Sequence, residues 1–349
     1  MSGTIVGLDF GHGVIRAAEI QDAGKARPTL VRYASLRVPA TAVQRGEVIE
    51  PGTVSAALKQ LWSRGRFKTK RVVLGMGNQR VLVRDLTVPN QPLNRIRESL
   101  PFQVQDLLPV PVADAILDYY PVSVVKADGG EMVNGLLVAA MKEAVLANVD
   151  AVSAAGLAPV EVDLIPFALS RAFLASADAR GVVALVHIGA VTTSVVVAND
   201  GVPQFVRIMQ NGGGDVDLAL QSRLSIDAEQ ADRIKRGIGL AREQVPAEWA
   251  VAVEAIHAST GDLLGAVRNT LSYFLNSRPG LRIERVLVSG GGAQLGGLPN
   301  ALADALRLPV GVPKSIEGLA IARTVDTEQL NDDPAGLPVA AGLALGSRA

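Results

Sequence analysis

The sequence predicts an α/β protein of two similar halves, each a mixed sheet with helices on both faces, the two flanking a cleft. The first observation is an internal echo. Near the start the chain reads VGLDFGHGVIRAAEI, and in its middle LVHIGAVTTSVVVAND. Both run as apolar strand, polar residue, apolar residue, glycine, turn residues and a second strand. Placing Asp9 over His187 and Gly11 over Gly189 gives an offset of 178, about half of the 349 residues. The second is that hairpin patterns alternate with helical ones, which implies crossover connections in mixed sheets. The third is a hydrophobic content of 48% against 19% charged residues, enough for a large core.

Each element follows from local pattern. Strands Ile5–Phe10 and Val14–Ile20 form the first hairpin, and a helix from about Thr53 to Arg64 ends at Gly65. Strands Arg71–Leu74 and Val81–Leu86 follow. An insert comes next: helix-like LNRIRESLPFQVQDLL, the turn LPVPVADA, strand ILDYYPVSVV, the turn KADGGE and strand VNGLLVAAM. Helix Lys142–Ala155, strand Val160–Ile165 and a helix from Pro166 to Ala177 lead into the second half. There, strands Val182–His187, Thr192–Ala198 and Pro203–Ile208 precede helices near Asp215–Arg223, Asp227–Arg236 and Ala247–Asn276. Strand Arg285–Ser289 runs through GGGAQLGGL into helix Leu298–Leu306. A loop from about Thr327 to Pro338 precedes the last helix, Val339–Leu345.

Composition excludes several classes. Thirty-four basic residues balance 34 acidic ones and aromatics are 4%, so neither a field nor a stacking surface for nucleic acid is expected. The absence of cysteine removes disulfides and thiolate metal sites. The N-terminal residues lack a secretion signal, and the most apolar stretch, Val182–Ala198, is β-branched and broken by a turn. A cytoplasmic protein without membrane insertion is the expectation.

Chemistry concentrates in glycine turns. LDFGHG carries Asp9, Gly11, His12 and Gly13. HIGAVTTS carries Gly189, Thr192 and Thr193, and NGGGD carries Gly213 and Gly214. VSGGGA carries Gly290, Gly291 and Gly292. Glycines admit close approach of a ligand to the backbone, and successive N–H groups can cradle an anion. None of the turns has the Walker spacing. In DAEQADRIKRG, Asp232 and Lys235 share one helix face.

The order GLDFG, HIGAVTTS, NGGGD, SGGGA resembles the actin/Hsp70-like fold. VVLGMGNQRVLVRDLTVP, QDLLPVPVADAILDYYPV, AAGLAPVEVDLIPFALSRA and RVLVSGGGAQLGGLPNALADALRLPV resemble the type IV pilus assembly protein PilM family. That family is related to the cell-division protein FtsA. The resemblance implies a first half over residues 1–180 with an FtsA-like inserted subdomain at about 89–141. It implies a second half over 181–338 with a helical subdomain at about 220–276, and a C-terminal helix in 339–349 packing back on the first half. It implies ATP or ADP with Mg²⁺ in the cleft. The first two glycine turns would be phosphate loops, with Asp9 at the metal. Gly213 and Gly214 would lie near the sugar, Gly290–Gly292 around the adenosine, and Asp232 with Lys235 at ribose and base. It further implies binding of the N-terminal tail of PilN, with Leu107, Leu108, Pro109, Val110 and Pro111 shaping that region. Through PilN, the protein would lie against the inner membrane and connect indirectly to PilO and the pilus motor ATPases. A homo-oligomer stays open.

One position departs from the pattern: His187 stands where relatives carry Asp. Imidazole is a poor ligand for Mg²⁺, so at most a weak ATPase is expected. Two other readings remain, a sugar or acetate kinase of the same superfamily and an FtsA-like filament. The kinase lacks a visible base motif. The filament lacks a basic, aromatic-anchored terminal helix in PVAAGLALGSRA.

Overall fold

In the computed structural model, residues 3–127, 130–174, 179–241, 245–313, 316 and 318–346 are described. Gly13 has a φ of +67°, which lets His12–Gly13 reverse the chain between β1 (Thr4–Gly11) and β2 (Val14–Gln21). The hairpin register places Gly11 opposite Val14 and Asp9 opposite Arg16. Strand β3 (Thr29–Arg37), not anticipated from the sequence, pairs antiparallel with β2. The small hairpin β4 (Val43–Gln44) and β5 (Glu47–Val48) leads into α1 (Pro51–Gly65). Strand β6 (Arg71–Met76) then lies parallel to β1.

Strand β7 (Val81–Pro89) does not join this sheet. It pairs with β9 (Gly130–Met141), which also carries β8 (Ala115–Ala127), so the small sheet has the order β7-β9-β8. The insert therefore starts at Val81, eight residues before the expected Pro89. The reason is geometric: both edges of β6 are taken, one by β1 and the other by β10 (Ala158–Leu164). Helix α2 (Leu93–Gln103) closes the insert's own core with Ile96 and Leu100 against Tyr119 and Leu137. Of the KADGGE turn, Asp128 and Gly129 lie outside the described residues. Helix α3 (Lys142–Ala154) returns the chain to β10, and α4 (Ile165–Phe173) follows, residues 175–178 lying outside the described part.

The second half repeats the plan. Strands β11 (Val182–Ile188), β12 (Thr193–Asn199) and β13 (Val202–Met209) form a meander. Helices α5 (Gly214–Leu224), α6 (Ala228–Ile238) and α7 (Ala250–Ser277) follow, α6 starting at a capping box of Asp227 and Gln230. Strand β14 (Arg285–Ser289) pairs parallel with β11, α8 is Leu298–Leu306, and β15 (Val310–Gly311) completes the sheet. The two sheets run β10-β6-β1-β2-β3-β16, where β16 is Ala320–Ile321, and β13-β12-β11-β14-β15. With the second order reversed to β15-β14-β11-β12-β13, five strands correspond one to one in order and direction, so the echo in the sequence reports a duplicated sheet. The sixth, β16 (Ala320–Ile321), adds to β3 from far along the chain.

Within the expected loop after Thr327 lies the short helix α9 (Thr327–Asp332), and the chain reaches α10 (Leu337–Gly346). Eight residues of α10 are buried, as expected for a helix apolar on every side. It lies with α4 between the two sheets. Ala340 and Leu343 of α10, Ala168 of α4, Ala18 of the first sheet and Leu185 of the second share one core. Arg171 of α4 donates Nε to the Gly342 carbonyl at 3.0 Å and pairs with Asp163. Helices α1 and α3 cover the outer face of the first sheet, α7 and α8 that of the second.

Candidate functional site

The second half's glycine turns meet backbone to backbone. Gly189 N–H donates to the Thr192 carbonyl at 2.9 Å, closing the turn after β11. Gly213 and Gly214 then donate to the Gly189 and Ala190 carbonyls, both at 2.8 Å. A Cβ on Gly213 would sit 3.2 Å from Gly292 Cα, so three turns spread over about a hundred residues of sequence form one continuous wall. Gly290, at a φ of +91°, turns the chain out of β14 into the short turn Gly291–Gln294. Only a residue without Cβ fits there, because the Ile188 carbonyl oxygen would lie 2.4 Å from it.

Not every expected ligand group faces outward. Thr193 is fully buried, and its hydroxyl donates to the Asn211 carbonyl at 2.8 Å. It therefore ties the second turn to the third, while Thr192 is only half-buried. Gly291 and His12 are exposed. On α6, Asp232 and Lys235 are 3.2 Å apart, as their spacing predicts. Lys235 also reaches Asp217 of α5 at 2.5 Å, a partner the sequence did not single out. Burial pushes the Asp217 carboxyl up even though Lys235 draws it down. Asp217 Oδ1 and Asn211 Oδ1 are buried acceptors without a hydrogen-bond partner. A ligand carrying hydroxyl or amino donors suits such atoms.

In the first half, Asp9 is 6% exposed near the end of β1. Its Oδ2 lies 3.3 Å from Nη1 of Arg16, its neighbour in the hairpin register. Arg16 in turn pairs through Nε and Nη2 with Asp333, from the segment between α9 and α10. The Tyr33 hydroxyl donates to Asp333 at 3.1 Å. Burial holds the Asp9 carboxyl above its usual range, against the pull of Arg16. Burial opposes the Arg16 charge as well, yet Asp9 and Asp333 outweigh it and raise that pKa. Arg16 could have been found from the hairpin register alone. Asp333, 317 residues away, could not.

His187 occupies in β11 the place of Asp9 in β1, and its Nδ1 lies 3.0 Å from the Ser289 hydroxyl. Burial, and secondarily the Arg16 charge, lower its pKa to about 4. The imidazole is therefore neutral near pH 7. Between the ordinary value of 6.5 and about 4, the unfolded chain takes up a proton that the folded site refuses. Stability should be complete above that window and fall on acidification through it, by at most about 3 kcal/mol from this residue. Urea unfolding at pH 7 and near pH 5 checks this. His187→Gln should lose a measurable part of the pH dependence, and an unchanged dependence would refute the neutral-imidazole assignment.

This donor set does not suit Mg²⁺. The dication wants oxygen ligands in a tight octahedron. Asp9 is the one carboxylate in the two matched turn positions, and a guanidinium already holds its oxygen. Among the described residues no three His, Cys, Asp or Glu side chains group so as to hold a metal.

In the insert, Leu107 and Leu108 pack against the subdomain's own core. Pro109 and Pro111 are exposed and Val110 is half-buried. Among the described residues, no helix is long and apolar enough to cross a membrane. His257, on α7, lies in the long helix and not in these turns.

Known structures place this arrangement. A chain of a PilM–PilN type IV pilus biogenesis complex is 28% identical, with 99% of this chain and 98% of that one covered, at a TM-score of 0.83. The ethanolamine utilization protein EutJ from Carboxydothermus hydrogenoformans is 17% identical, covering 99% of this chain and 90% of its own, at 0.56. MreB5 of Spiroplasma citri, bound to AMPPNP, is 12% identical, covering 89% and 92%, at 0.52. The fold is thus the actin-like duplicated α/β fold. The sequence model of the type IV pilus assembly protein PilM family matches residues 7–348, and the chain belongs to that family.

Proposed function

We propose that this chain is a nucleotide-binding adaptor of the type IV pilus assembly platform. It would hold the N-terminal tail of PilN, lie against the inner membrane through it, and connect it indirectly to PilO and the pilus motor ATPases. The observation that carries this reading is the near-complete, two-way match to a chain from a PilM–PilN complex. The wall formed by the turns at Gly189, Gly213–Gly214 and Gly290–Gly292 supports ATP or ADP as the ligand, as does the AMPPNP held by a protein of the same fold. Asp217 Oδ1 would accept from a ribose hydroxyl, and the Gly189 turn would face phosphate. The resemblance also implies Mg²⁺ at Asp9, which the donor set disfavours. The missing second carboxylate, His187, supports holding a nucleotide with little turnover. Of the five residues expected to meet the PilN tail, the exposed Pro109 and Pro111 with the half-buried Val110 would be the ones to do so, since Leu107 and Leu108 serve the insert's core.

Calorimetry with ATP, ADP and a peptide copying the PilN tail of the same organism, beside a phosphate-release assay, tests the reading. Both nucleotide and peptide should bind, and phosphate release should stay near background. Absence of peptide binding would remove the adaptor role; robust turnover would remove the weak-ATPase part.

A further inference from the structure

We propose that Arg16 is the resident cation of this cleft, binding nucleotide phosphates in place of a divalent metal, and that Asp333 is the internal anion they displace. This rests on the cleft being a nucleotide site. Four observations meet at one spot. Asp9, the carboxylate on which a metal would depend, lies 3.3 Å from Arg16 Nη1. The matched position across the cleft is His187, engaged with Ser289 and no oxygen donor itself. Arg16 is four-fifths buried, and its side chain is stitched into the hairpin by register, so its charge is placed and not wandering. Finally, its Nε and Nη2 donate to Asp333, which arrives from the segment just before α10 and is itself held by Tyr33.

A Mg²⁺ on the Asp9 oxygen would lie about 2 Å from it and so within about 5 Å of a guanidinium, and the other carboxylate at hand, Asp333, is already engaged by that same guanidinium. A phosphate group has the opposite preference. The guanidinium fork matches phosphate oxygens as well as it matches a carboxylate, and its planar donors can exchange one anion for the other without changing their own geometry. Asp333 is only partly buried, with 20% of its side chain exposed, so it can be released to water where Asp9 cannot. Nucleotide binding then competes with the Arg16–Asp333 contact. The sequence distance of that contact gives it a consequence: its loss would free the segment leading into α10.

Titration calorimetry of the full chain with ADP and with ATP, in excess Mg²⁺ and in excess EDTA, tests the proposal. Affinity should change by less than about threefold when the metal is removed, because no ligand–metal contact is lost. Arg16→Met should weaken binding by between about tenfold and about 150-fold, the usual loss of a charged hydrogen-bond partner, with Arg16→Lys in between. Asp333→Asn should tighten it by at least about threefold, since the competing anion is gone. Circular dichroism of each variant reports folding; should Arg16→Met not fold, the EDTA and Asp333→Asn arms still decide. Binding that collapses in EDTA overturns the proposal and leaves the nucleotide site standing. No binding of either nucleotide by the unaltered chain, with or without metal, overturns the nucleotide site and this proposal together. Asp333→Asn binding no more tightly than the unaltered chain removes Asp333 from it.

Discussion

Gly342→Val should unseat the C-terminal helix and destabilise the protein by about 3 kcal/mol or more, because the extra atoms have no space to enter. A Cβ at Gly342 would sit 2.1 Å from the Ala168 carbonyl oxygen, and one at Gly7 would sit 1.9 Å from the Ala340 carbonyl oxygen. Both obstacles are backbone, so no rotamer change relieves them. Ala168 and Ala340 are fully buried at the centre of the core that joins the two sheets. The helix would have to move away from α4, opening that core on both sides. Urea or thermal unfolding checks the expectation. Gly265→Ala in α7 is the internal comparison: nothing lies within 4 Å of its Cβ, so it should be neutral or stabilising by up to about 1 kcal/mol. Comparable stability in the two variants would refute the close packing of α10.

The second large effect is expected on ligand binding. Gly290→Val should reduce nucleotide affinity by more than about a hundredfold, since the turn that would wrap the adenosine loses its shape. A φ of +91° excludes a β-branched residue, and the new Cβ would meet the Ile188 oxygen at 2.4 Å and the His187 ring at 3.1 Å. Gly292, whose Cβ would meet Ile188 Cγ2 at 2.2 Å, belongs to the same turn and follows wherever it shifts. The turn lies at the end of β14, outside the central layer of α4 and α10. The unfolding midpoint should therefore fall less than in Gly342→Val. Calorimetry with ADP and a melting curve on the same preparation separate the two effects. Unchanged affinity would place the nucleotide away from this turn.

Some elements were legible because local physics decides them. Strand β14 and helix α8 have the very limits that pattern suggested, Arg285–Ser289 and Leu298–Leu306. A five-residue apolar strand ending in three glycines leaves few alternatives. Strand β3 was missed because Thr29–Arg37 mixes arginines with apolar residues without strict alternation; its order comes from β2 on one side and β16 on the other. Strand β7 was read as part of the first-half core because its own sequence says only that it is a strand. Which sheet takes it depends on which edges are free.

The same division runs through the candidate site. By itself the sequence determined the repeated hairpin, the glycine turns and the placing of His187 at the position that Asp9 holds in the first hairpin, since each lies within a short window where turn geometry and side-chain chemistry act. It also held the Asp9–Arg16 pair, through hairpin register. Only the tertiary structure decided that three distant turns share one wall, that Thr193 faces inward, and that Asp333 closes on Arg16. Those contacts join residues up to 317 positions apart. Such pairings carry no local signature, because they exist only once segments apart in sequence have been brought together by the folding of each half.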